Sequence, residues 1–192
     1  MALEDIAMFR TLPNSVVFYP SDAVSTERVV ALAADHRGIV YIRTSRPKTP
    51  VVYDNQATFE IGGSKTLRSG SDDRLAVVGA GVTVFEALKA YDHLVKENIP
   101  IRVVDAYSIK PVDTRGLLEA AAKSNNTLVV VEEHYYDGGL GDAVLNVVVN
   151  HGVRVFKLAV HDVPRSGKAE ELLEYCGIST NAIVSKVKEI LL

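Results

Sequence analysis

The 192 residues carry 47% apolar and 23% charged side chains, an ordinary globular composition long enough for more than one small core but not for two full-sized domains. The net charge of −3, without a basic block, argues against a phosphate-tracking nucleic-acid surface, and no apolar run approaches the roughly 20 residues of a membrane span. The single Cys176 excludes an internal disulfide and a cysteine-rich zinc site; with Glu4 and Asp5 ahead of Arg10 the start lacks the layout of a secretory signal, so the expected compartment is the cytoplasm.

The first block reads helix, strand, helix, strand. Leu3, Ile6, Ala7 and Phe9 place apolar side chains on one face of a helix over Ala2–Thr11. Val16–Tyr19 is a short buried strand closed by Pro20, and Ser21 or Asp22 caps a helix through Ala34 by accepting free N–H groups of its first turn. Ile39–Arg43 is a second strand. Ser45–Asn55, with Pro47 and Pro50, reads as a linker, and Phe59–Arg68 as a weak strand or hairpin. From Arg74 the pattern is regular. Strands at Leu75–Val78, Ile101–Asp105, Thr127–Glu132 and Val153–Val160 alternate with helices at Thr83–Glu97, Asp113–Lys123 and Gly139–Asn150. Helices at Lys168–Tyr175 and Asn181–Leu191 follow, the last capped by Ser179 or Thr180. Unbroken Val/Ile/Leu strands between helices predict an α/β fold: a three-layer α/β/α unit with a mainly parallel sheet, preceded by a partial α/β domain.

Three segments invite a functional reading. Gly79-Ala80-Gly81 joins a strand to a helix, as in a dinucleotide-binding turn, and Asp105 ends the next strand where a ribose-binding acid would sit. Val84 stands in place of the third glycine, however, and two glycines also serve a tight turn that needs positive φ. Glu132-Glu133-His134 ends a strand ahead of Gly138-Gly139-Leu140-Gly141. Paired carboxylates there suit acid/base work, but neighbours on a strand point to opposite faces, and the glycines also suit a turn with a closely packed helix. Arg43-Thr44-Ser45-Arg46-Pro47 offers two guanidiniums and two hydroxyls that would grip a phosphate, with Pro47 holding Arg46 extended; a solvated basic turn is the alternative. His36, His93, His151 and His161 show no ligand spacing. Ser166-Gly167-Lys168 fails as a phosphate loop, because Asp162 occupies the position of the required glycine.

Seven blocks, in order, resemble transketolases, most closely those of animal type. They are Met1–Arg10, Phe18–Asp22, Ile42–Pro47, Gly79–Thr83, Ile109–Asp113, Glu132–Gly139 and Val163–Lys168. The resemblance implies residues 1–57 as part of a pyrimidine-binding domain, 58–63 as a linker and 64–192 as a C-terminal domain. It implies transfer of a two-carbon ketol unit between sugar phosphates in the pentose phosphate pathway, with thiamine diphosphate and Mg²⁺ or Ca²⁺ in a complete, homodimeric enzyme. Arg46 is carried over as the arginine that grips the sugar phosphate, while Arg43 and Ser45 carry no such firm role.

The resemblance also implies what this stretch lacks. The family's Gly-Asp-Gly metal-diphosphate motif has no counterpart, since Gly141-Asp142 is followed by Ala143, and the glutamate that activates the cofactor lies upstream of Met1. Neither catalytic, cofactor-binding nor metal-binding residues are therefore expected here, and the chain alone is expected to be inactive. A non-catalytic association or regulatory module is the alternative, and a nucleotide-binding module using Gly79 and Gly81 a third.

Overall fold

The structure, a computed structural model, describes residues 3–46 and 48–191. Met1, Ala2, Pro47 and Leu192 lie outside them, and with them the first residue of the expected opening helix and the restraint expected of Pro47 on Arg46.

The first block follows the expected order: α1 (Asp5–Arg10), β1 (Val16–Phe18), α2 (Ala23–Asp35) and β2 (Val40–Ile42). Asp22, not Ser21, caps α2. Its carboxylate accepts the Ser25 N–H at 2.7 Å while the Ser25 hydroxyl accepts the Asp22 N–H at 2.9 Å, satisfying two otherwise free donors. The other Asp22 oxygen takes the N–H groups of Val52 and Tyr53 at 2.9 and 3.0 Å, which pins the proline-containing linker onto the start of α2.

β3 (Lys65–Arg68), β4 (Ala76–Gly79), α3 (Val82–Lys96) and β5 (Arg102–Asp105) come next, then β6 (Ser108–Lys110) and α4 (Thr114–Ala122). β7 (Thr127–Tyr135), α5 (Leu140–Val148), β8 (Arg154–Val160), α6 (Ala169–Tyr175) and α7 (Thr180–Leu191) complete the chain. A five-stranded sheet has the order β3-β5-β4-β7-β8, parallel throughout except for the antiparallel edge strand β3. Alternation along β4 sorts its two faces. Val77 packs with Ala87 and Leu94 of α3 and Ile183 and Val187 of α7, whereas Ala76 and Val78 pack with Leu117 of α4 and Val144 of α5. These side chains are at most 2% exposed, and burying each Val or Leu fully is worth about 1.5–3 kcal/mol. The expected three-layer arrangement is thus present.

β6 was not expected. It pairs antiparallel with β1, so the sheet of the first block runs β2-β1-β6 and takes its third strand from the second. Val17 faces Lys110 and Phe18 faces Ser108 across this pairing. Only three residues long and followed at once by Pro111, β6 offers no alternation that a sequence pattern can register. Among the described residues, no helix is long and apolar enough to cross a membrane.

Candidate functional site

The carboxyl ends of β1, β2 and β7 converge beside α1. Arg43, one residue beyond β2, donates its backbone N–H to the Phe18 carbonyl at 2.9 Å and sends its guanidinium inward. That guanidinium lies 3.5 Å from the Asp5 carboxylate and 3.3 Å from that of Glu133, donates to the Glu133 carbonyl at 2.6 Å, and sits 4.8 Å from the centre of the Tyr19 ring. The Tyr19 hydroxyl donates to the same Glu133 carboxylate at 2.7 Å, and the Tyr41 hydroxyl to Asp5 at 2.6 Å. One buried cation thus serves two carboxylates, each of which also accepts a phenol O–H, and such added hydrogen bonds help a buried ion pair to be tolerated. Burial and the Glu133 charge push the Tyr19 phenol well above its usual range. Arg43 therefore joins α1, β1 and β7. The expectation of two guanidiniums on one phosphate is corrected, since Arg43 is committed inside the protein.

Arg46 behaves differently. It is exposed, and among the described residues it has no acidic partner. It lines a cleft of about 370 Å³ whose walls include Leu3, Val82, Val160 and Leu172 together with Arg165. Two residues three apart, both at the end of β2, are thus split between a structural and an accessible role.

Glu132 and Glu133 point to opposite faces, as the strand geometry requires. Glu132 turns to the start of α5, where it accepts the N–H groups of Leu140 at 2.5 Å and Gly141 at 3.1 Å. It neutralises from within the site that a helix N-terminus offers to an anion. Burial nevertheless pushes this carboxyl up to about 7, against the pull of the Gly141 N–H and of Lys157. The glycines follow from this contact: a Cβ on Gly139 would come 1.9 Å from Glu132 Oε2, and one on Gly141 2.7 Å from Oε1. His134 is fully buried. Its Nε2 lies 3.2 Å from the Ala7 N–H and so accepts, which leaves Nδ1 to donate to the Tyr135 carbonyl at 2.7 Å. Burial lowers its pKa, and the neutral ring latches α1 to β7. Arg10 completes the latch by donating to the carbonyls of Gly138 and Gly139.

The glycine turn at β4 holds no nucleotide site. Gly81, with φ of +58°, donates its N–H to the Tyr19 carbonyl at 3.1 Å, and the Tyr19 ring fills the space above it. Thr83 closes the turn by accepting the Ala80 N–H at 3.1 Å and donating to the Val131 carbonyl at 2.8 Å. Asp105 is fully buried and accepts from Ser21 at 2.7 Å and Tyr53 at 2.7 Å. No ribose reaches it.

Residues 63–183 match the family model described as transketolase, C-terminal domain, and residues 1–51 the model described as transketolase, pyrimidine binding domain. The chain belongs to the transketolase family. It is 50% identical to transketolase of Rattus norvegicus and 49% identical to that of Homo sapiens, in each case over 98% of this chain and 30% of the relative. Transketolase-like protein 1 of Macaca fascicularis is 50% identical over 100% of this chain and 32% of its own length. The chain thus spans roughly a third of the length of these curated relatives. Among solved structures, a split-gene transketolase described as an inactive β4 tetramer superposes with a TM-score of 0.89 at 38% identity, covering 98% of this chain and 61% of that one. A transketolase from Campylobacter jejuni superposes with a TM-score of 0.76 at 19% identity over 98% of this chain and 28% of that one, a likeness of fold.

Within this transketolase-family chain, sequence reasoning missed the partners of the convergent strands. Tyr19 closes a strand and reads as core, and Asp5 reads as a first-turn acid of α1. Only contacts between residues far apart in sequence, such as Tyr41 with Asp5, reveal their shared environment. Arg165 lies in the last of the seven resembling blocks, beside the Ser166-Gly167-Lys168 rejected as a phosphate loop, and the sequence assigns it no role.

Proposed function

We propose that this chain supplies the C-terminal part of a transketolase, in which Arg46 grips the phosphate of a sugar-phosphate substrate while the two-carbon ketol unit is transferred. The observation that carries this reading is the split between the two arginines after β2. Arg43 is buried against Asp5 and Glu133, while Arg46, without an acidic partner among the described residues, lines the cleft. A guanidinium presented in this way matches phosphate oxygens through a fork of N–H donors. Binding energy from the remote phosphate would hold the reacting carbons in place.

Thiamine diphosphate with Mg²⁺ or Ca²⁺ supplies the carbanion chemistry of such an enzyme. Among the described residues no three His, Cys, Asp or Glu side chains are grouped to hold a metal ion. Asp142, of the single Gly-Asp pair, accepts from Lys157 at 2.7 Å and from the Gly138 N–H at 2.6 Å. In this proposal the cofactor is held by other parts of a homodimeric cytoplasmic enzyme, and the chain contributes fold and phosphate recognition. The split-gene neighbour, described as inactive as a β4 tetramer, supports a division of labour between chain segments.

The test pairs this chain with the remaining portion of a transketolase and measures ketol transfer. Arg46→Ala should lower kcat/KM for phosphorylated acceptors by on the order of ten- to a hundredfold, the value of a charge-assisted hydrogen bond. Arg46→Lys should recover part of the loss, and an unphosphorylated acceptor should be nearly indifferent to both changes. Equal losses on both acceptors would sink the assignment.

A further inference from the structure

We propose that Arg165 is a second guanidinium at the phosphate subsite, so that Arg46 and Arg165 together clamp one phosphate monoester at the edge of an apolar cleft. This deepens the reading of Arg46 and rests on it. The two residues are far apart in sequence: Arg46 follows β2, and Arg165 lies in the exposed segment between β8 and α6. Both line the same cleft of about 370 Å³. Neither has a carboxylate partner among the described residues.

The charge left over in the cleft is therefore cationic. Glu133 also lines it, but its carboxylate already receives the Tyr19 hydroxyl at 2.7 Å and lies 3.3 Å from the Arg43 guanidinium. Arg165 is moreover oriented. Its guanidinium carbon lies over the Tyr175 ring, 4.1 Å from the ring centre. The ring contact holds the Arg165 head in place, and its N–H donors have no carboxylate partner among the described residues. Two such groups favour a dianionic phosphate monoester over a carboxylate, because the second charge engages the second guanidinium. Val82, Val160, Leu172 and Ile178 make the rest of the lining apolar, which suits the organic body of an ester better than inorganic phosphate.

Calorimetric titration of the chain with phenyl phosphate and with inorganic phosphate tests the clamp directly. Phenyl phosphate should bind more tightly than inorganic phosphate. Arg46→Ala and Arg165→Ala should each weaken its binding about tenfold or more, with thermal midpoints unchanged because both residues are exposed. Arg165→Lys should restore part of the affinity. If only Arg46→Ala weakens binding, the clamp is wrong and the phosphate role of Arg46 stands. If only Arg165→Ala does, or neither does, both readings fall. Absence of saturable binding to the unsubstituted chain overturns the clamp and leaves Arg46 to the kinetic test above.

Discussion

The Tyr19 ring occupies the space that a side chain at Gly81 would need: a Cβ there would lie 2.1 Å from two ring carbons. The strand-to-helix turn is thus filled by the protein itself, and the glycine is required twice, by φ of +58° and by the ring. Gly81→Ala should cost about 2–5 kcal/mol, a penalty for the positive-φ backbone plus overpacking. Gly152, with φ of +68° and no neighbour among the described residues within 4 Å of where a methyl group would stand, is the unoccluded comparison. Gly152→Ala should carry only the backbone part, about 1–2 kcal/mol. Urea unfolding that gives equal losses would show that Tyr19 does not occlude the turn.

Arg43 and Arg46 should separate cleanly in stability. Arg43→Ala leaves the Asp5 and Glu133 carboxylates, 12% and 18% exposed as side chains, without their shared cation. A loss of about 3–5 kcal/mol is expected. Arg46→Ala should change stability by no more than about 0.5 kcal/mol. Similar denaturation midpoints for the two variants would contradict the buried role of Arg43.

Asp105 should make stability fall as pH rises. One oxygen accepts from Ser21 and Tyr53, but the other, Oδ1, is buried without a partner among the described residues. Burial pushes the carboxyl up to about 7, against those two hydrogen bonds and with the Asp22 charge adding to the rise. The unfolded value is about 3.9. Between the two the folded state keeps a proton that the unfolded state releases, so the contribution of Asp105 is full below about pH 4 and gone above about pH 7. Glu132, also raised to about 7 by burial, acts in the same sense. His134, lowered by burial, acts in the opposite sense as pH falls through the unfolded histidine range. Comparing the chain with Asp105→Asn isolates the first group. From pH 5 to pH 8 the unsubstituted chain should lose stability relative to the variant. A constant difference in unfolding free energy across that range would rule the linkage out.

Gly139→Ala tests the seating of Glu132. The backbone φ of −83° tolerates alanine, so any loss comes from the methyl group displacing the carboxylate from the Leu140 and Gly141 amides. A loss of about 1–3 kcal/mol is expected for a buried carboxylate deprived of its donors. A neutral result in thermal unfolding would mean that the carboxylate has another seat.

Much of the layer architecture is legible in the sequence, because apolar strands, caps and glycine turns are local signals. Asp113 announces α4 and does cap it, accepting the Gly116 N–H at 2.8 Å. Of the two residues offered as cap for α7, Ser179 performs the task through the Ala182 N–H at 3.2 Å. The site was less legible. Arg43 and Arg46 look alike in a string of letters, and what separates them is the carboxylates that α1 and β7 bring to one and not to the other. Arg165 is equally silent until the fold places its exposed segment beside the end of β2. β6 was invisible because its reason for existing is the open edge of β1.

That shared edge bears on how transketolase sequences of this kind can be recombined. A chimera joined within residues 58–63 takes β1 from one parent and β6 from the other, so the seam a designer would choose cuts through a sheet. The new pair must reproduce the juxtaposition of Val17 with Lys110 and of Phe18 with Ser108. Lys110 adds a further constraint, since its ammonium donates to the carbonyls of Arg10 at 2.8 Å and Leu12 at 2.5 Å. Parents matched at those positions should give soluble hybrids; unmatched parents should give chains with an unpaired strand edge, prone to sticking to one another.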